Sequence, residues 1–219
     1  MAIQFDNATH YAGTTSEFGT FSYIVGPLDK RYLLIGVDGD TVSDKVTGIT
    51  YAGQALTQVG SSIQKPGNRF SNLYRLINPP NGTADIVVTN SASAYTEPVA
   101  MSFGGVAQLV PEAIYSGSSA GSFVLGTVTT LTDFAWVVGV GGGGGGGAVV
   151  AGANQTMLDG QSTYNWGGFK YTTNPVTSPS AVIVSGGTDT DSINNFAIHL
   201  VSLAPDSISG GLDLTSKIW

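Results

Sequence analysis

The chain has 219 residues, of which 42% are hydrophobic and 11% charged, with 31 glycines and a formal net charge of −7 at neutral pH. Charged residues usually make up about a quarter of a globular domain, so this surface is built largely from Ser, Thr, Asn, Gln and Gly. Its eight Lys and Arg are scattered, which argues against nucleic-acid binding, because neutralising phosphates takes clustered cations. The lack of cysteine removes disulfides and thiolate metal sites.

Strand-like runs follow one another at short intervals: Ile3–Phe5, Phe21–Val25, Tyr32–Val37, Val46–Tyr51, Ala55–Val59, Asn72–Ile77, Ala84–Thr89 and Val99–Phe103 in the first half. Ser122–Val128, Phe134–Val140, Ala181–Ser185 and Phe196–Leu203 continue the series in the second. Gly-, Pro-, Asn- and Asp-containing pairs lie between them, the punctuation of turns. No window carries a capped apolar repeat of helical period, so little helix is expected. In Phe196–Leu203 the residues Phe196, Ile198 and Leu200 share one face and Ala197, His199 and Val201 the other, as in a strand covered on both sides.

The halves echo one another about one hundred residues apart: Tyr32–Val37 with Phe134–Val140, Ala84–Val88 with Ala181–Val184, and Val99–Phe103 with Phe196–Leu200. The fold expected is an all-β, antiparallel β-sandwich of jelly-roll type, made of two interleaved pseudo-repeated halves. The rival is two tandem small sandwiches; against it stand the lack of a linker-like segment and the small core each half would bury. The domain reading is one sandwich over residues 1–204 and a C-terminal tail over 205–219.

The runs Leu33–Val37, Val46–Val59, Leu73–Thr89, Ala100–Val106 and Ala197–Leu203 resemble the jelly-roll modules of bacteriophage virion proteins, which also occur in some secreted bacterial proteins. The resemblance covers nearly the whole chain and departs at the glycine run Gly141–Gly147. It implies a non-enzymatic structural protein on the particle surface, a capsid decoration or head-fibre protein or a tail appendage. Its partners would be other virion structural proteins and further copies of itself, with no nucleic acid and no membrane insertion. The first residues show no basic segment followed by an apolar stretch, and no run nears the about 18 apolar residues of a membrane helix. The expected location is therefore the virion, after synthesis in the host cytoplasm without a signal peptide.

Candidate sites are few. Asp38, Asp40 and Asp44 follow a strand closely enough to offer oxygen ligands to calcium, against the plainer reading of a solvated acidic turn. Tyr164 and Trp166 head an aromatic cluster ending at Phe169 that could stack on a sugar face, the basis of the alternative role as a carbohydrate- or receptor-binding module; the plainer reading makes them packing residues. Ile218 and Trp219, beyond the pair Gly210 and Gly211, could dock on a neighbouring subunit or pack on their own sandwich. The glycine run lacks the Lys-Ser/Thr ending of a nucleotide loop. His10 and His199 are the only histidines, and His199 reads as a packed strand residue. No catalytic residue is assigned, and no cofactor beyond calcium.

Overall fold

The structure is a computed structural model and describes residues 1–11, 14–39, 41, 43–65, 69–119, 124–142, 149–151, 155–158, 171–173, 180–188 and 196–206. Among these residues it is all-β, without helix, and every strand pair is antiparallel. In the first half β1 (Gln4–His10), β2 (Thr14–Val25), β3 (Tyr32–Gly39), β4 (Val46–Tyr51), β5 (Gln54–Ala55), β6 (Thr57–Gln58), β7 (Ile63–Lys65), β8 (Arg69–Ile77) and β9 (Gly82–Gly104) make one nine-stranded sheet. In the second, β10 (Ala113–Ser119), β12 (Trp136–Gly142), β14 (Gln155–Met157), β15 (Tyr171–Thr173) and β17 (Phe196–Leu203) make a five-stranded sheet. The remaining strands β11 (Val124–Thr130), β13 (Val149–Ala151) and β16 (Ser180–Thr188) make a three-stranded one.

β9 organises the first half. Its 23 residues join two runs that the sequence suggests are separate strands, and each part has its own neighbours. Gly82–Thr89 pairs with β2 and Ile86–Asn90 with β4, whereas Val99–Gly104 pairs with β1 and Thr96–Phe103 with β3; the first residues of β2 reach past the changeover to Ala94–Thr96. Both β2 and β4 slip register beside the changeover, at Ser16/Phe18 and Val46/Gly48. Such irregularities let a strand bend sharply and re-aim. The sheet thereby folds over on itself and nearly closes. Phe21, Tyr23, Val25, Ile49, Tyr51, Ile86 and Val88 of one leaf meet Leu33, Ile35, Val37, Tyr74 and Ala100 of the other in a buried cluster.

The alternate residues of β3, β8 and β9 point the opposite way. Tyr32, Leu34, Leu73, Val99, Met101 and Phe103 pack on Val138 and Val140 of β12 and on Val201 and Leu203 of β17, forming a second buried cluster. Each large apolar side chain sealed there is worth about 1.5–3 kcal/mol. The surface ion pair of Lys30 with Asp206, at 3.8 Å, adds about 0–1 kcal/mol; apolar packing decides the stability.

Among the described residues, apart from an isolated bridge between Val106 and Pro205, strands of the first half pair only with one another, and so do those of the second. The halves therefore do not interleave as the sequence reading supposes. Each half satisfies most of its backbone hydrogen bonds locally and meets the other mainly through side chains, with backbone bonds from Asp206 N–H to Gly105 O at 2.7 Å and from Ala107 N–H to Ala204 O at 3.0 Å beside the bridge. β10, which carries Gly117 and three serines, and the short β7, β13, β14 and β15 are strands without a matching run in the sequence reading. Of the glycine run, Gly141 and Gly142 end β12, and residues 143–147 lie outside the described residues.

Candidate functional site

Asp38 and Asp44 are held by different elements. Asp38 is the seventh residue of β3, opposite Ser71 of β8 and Glu97 of β9. Asp38 and Glu97 are both buried, and the Tyr95 hydroxyl donates to Glu97 Oε1 at 2.6 Å. Asp44 instead accepts the Val46 N–H at 2.9 Å and shapes the turn into β4. Asp40 lies outside the described residues, as do Tyr164, Trp166, Ile218 and Trp219. Among the described residues no three His, Cys, Asp or Glu side chains are grouped to hold a metal ion.

His199 is fully buried on the face of β17 that meets the first half. Its Nδ1 is 2.9 Å from Ser116 Oγ of β10, with the donor set by the imidazole tautomer. His10 lies on β1, opposite Val99. The two histidines thus sit in different sheets.

Two carboxylates tie strands together. Asp6, at a register slip in β1, accepts the Ser102 hydroxyl at 2.6 Å and the Gly26 N–H at 2.8 Å. The Tyr23 hydroxyl lies 2.9 Å from the same serine, and burial holds it above the usual tyrosine range despite that bond. Glu112, just ahead of β10, accepts the Ser202 hydroxyl at 2.7 Å, the Leu131 N–H at 2.8 Å and the Thr132 hydroxyl at 2.8 Å. Burial pushes the Glu112 carboxyl up, but these hydrogen bonds outweigh it and leave the group below the ordinary glutamate value. Both serines are fully buried and donate to a carboxylate, so each arrangement serves as a strand tie rather than a nucleophile.

The end of the molecule where β1, β3, β10 and β12 begin is different in kind. The eight large apolar side chains exposed among the described residues are Met1, Phe5, Ile24, Leu109, Val110, Ile114, Leu131 and Phe134. Met1 precedes β1 and Phe5 is its second residue; Ile24 is next to last in β2; Leu109 and Val110 link β9 to β10; Ile114 is second in β10; Leu131 and Phe134 lie between β11 and β12. Two apolar grooves between the halves take in four of these side chains, Met1, Leu109, Val110 and Phe134. One, of about 430 Å³, is lined by Met1, Ala2, Ile3, Phe134, Trp136 and Pro205, with Asp206 at its edge. The other, of about 360 Å³, is bordered by Tyr32, Leu109, Val110, Pro111, Thr132 and Leu203.

Phe134 is 65% exposed with a φ of 61°, a left-handed conformation that is rare for a bulky residue. A left-handed backbone at an exposed aromatic residue motivates a functional reading. Sequence reasoning passed over this end because Phe5, Ile24 and Phe134 fall within strand-like runs and Leu109, Val110 and Leu131 within turn-like stretches. Leu109 and Val110 before Pro111, and Leu131 and Phe134 around Asp133, are the available signal. No family model, curated protein or solved structure matches the chain.

Proposed function

We propose that this protein is a non-enzymatic structural component of a bacteriophage particle, a capsid decoration, head-fibre or tail-appendage protein, and that it docks on other subunits through its apolar end. The observation that carries the reading is that exposed Met1, Leu109, Val110 and Phe134 line two grooves at one end, with exposed Leu131 next to the groove residue Thr132. Apolar patches rimmed by polar surface mark interaction sites, and repeated contacts in a shell give avidity without strong single interfaces.

Strand order supports a jelly-roll reading, with each half a jelly roll rather than the two sharing one. In the first half, β1, the second part of β9, β3 and β8 are neighbours in that order, while β2, the first part of β9, β4 and β5 form the facing row. In the second half β10, β17, β12 and β15 repeat the first row, and β11, β16 and β13 repeat the second. Two four-stranded rows in the first half, and a row of four with a row of three in the second, fit the double Greek key of a jelly roll.

The test is co-sedimentation with particles from the source of the protein, using the native chain and a variant combining Leu109→Ser, Val110→Ser, Leu131→Ser and Phe134→Ser. The native chain should pellet with particles and the variant should lose at least about tenfold in affinity, with folding intact by circular dichroism. A native chain that stays in the supernatant, or a variant that binds equally well, contradicts the proposal. Polysaccharide binding by a chain that ignores particles would move the assignment to glycan recognition.

A further inference from the structure

We infer that the chain is a fused dimer of two equivalent β units related by a local twofold axis, and that the face each unit turns toward the other is a self-complementary surface whose partner is a second copy of the unit. Strand register gives the correspondence residue by residue. Ser102 of β9 pairs with Leu33 and Asn7, and Ser202 of β17 pairs with Val137 and Ala113. Stepping along the strands from these anchors makes Tyr32 equivalent to Trp136, Phe103 to Leu203, Gly36 to Val140 and Asp6 to Glu112.

Two features repeat at equivalent positions, and the pairing plan that sets the equivalence is a third likeness. The first is the carboxylate tie: Asp6, Ser102 and the Gly26 N–H in one unit, Glu112, Ser202 and the Leu131 N–H in the other. Each joins the start of the unit, its last strand and the segment just after its second strand. The second is the left-handed residue two positions before the third strand, Lys30 with φ 53° and Phe134 with φ 61°. The third is the pairing plan: the last strand lies between the first and third strands in both units.

The contacts between units have the reciprocity of a twofold, in which residue i meets j and j meets i. Phe103 of the first unit packs edge-on against Trp136 of the second, with ring centroids 6.3 Å apart. The equivalent pair, Leu203 and Tyr32, shares the second groove. On the axis itself a residue must meet its own equivalent. A Cβ built at Gly36 would lie 2.6 Å from Cγ2 of Val140, and these are equivalent positions. One unit supplies the side chain there and the other the space.

An experimental structure of the full chain tests the relation directly. Superposing 4–104 on 110–206 should require a rotation near 180° about an axis passing between Gly36 and Val140, which is what defines a twofold; a rotation far from that overturns the inference. Substitution tests the axis without imaging. Gly36→Val should clash and Val140→Gly should leave a void, each lowering the thermal midpoint by about 5 °C or more. The double exchange G36V/V140G rebuilds the same pair with the units' roles reversed, and should recover more than half of the summed loss. Losses that simply add overturn the inference.

Discussion

At the scale of single residues, the polar groups of this protein hold strands in place. Glu112 is the clearest case, because one carboxylate gathers Ser202, Thr132 and the Leu131 N–H from separate segments. Its carboxyl is held below the ordinary value in the folded chain, so the unfolded chain binds this proton more readily. The stabilisation is therefore present above the unfolded glutamate pKa and is lost as pH falls through the folded one. Glu112→Gln should cost about 1–3 kcal/mol near neutrality and should flatten the loss of stability between about pH 5 and pH 3, within the range where carboxylates titrate. Urea melts across that range check it; an unchanged acid slope in the variant would remove Glu112 from the account. None of this was legible in the sequence, since a glutamate, a serine and a threonine far apart in the chain carry no mark of meeting.

At the scale of elements, β9 carries the first half. It is paired on both sides at Ile86–Thr89, by β2 and β4, and again at Val99–Phe103, by β1 and β3. Hydrogen exchange should find the amides of Ile86–Val88 and Val99–Met101 among the slowest, and those of the two-residue β5 and β6 much faster. Equal protection in β5 and β9 would contradict that order. Most of β3, β4, β8, β12 and β17 could be read from sequence, because dense β-branched and aromatic runs bounded by turn residues leave few other conformations. The continuity of β9 could not, because Ser91, Ala92 and Ser93 look like a loop, yet they join the two paired parts of the strand, with the Ser91 N–H bonded to Lys45 O at 2.8 Å. β10 escaped for a related reason: Ser116, Gly117, Ser118 and Ser119 have little intrinsic strand preference, and pairing with β17 overrides it.

At the scale of the whole molecule, the echo between the halves is visible in the sequence, but not how the halves join. Similar runs about one hundred residues apart fit interleaved and tandem arrangements alike. The choice falls to backbone pairing, which keeps each half to itself, and to a shared face of Leu34, Met101, Val138 and Val201. That arrangement brings the β1, β3, β10 and β12 starts to one end, where Leu109, Val110, Leu131 and Phe134 stand exposed. The measurement that bears most directly on the proposed role is cryo-electron microscopy of particles from the source of this protein. The account predicts density for the chain repeated over a capsid or tail, with the end carrying Leu109, Leu131 and Phe134 buried against a neighbouring subunit. Particles without this chain, or with that end facing solvent, would contradict it.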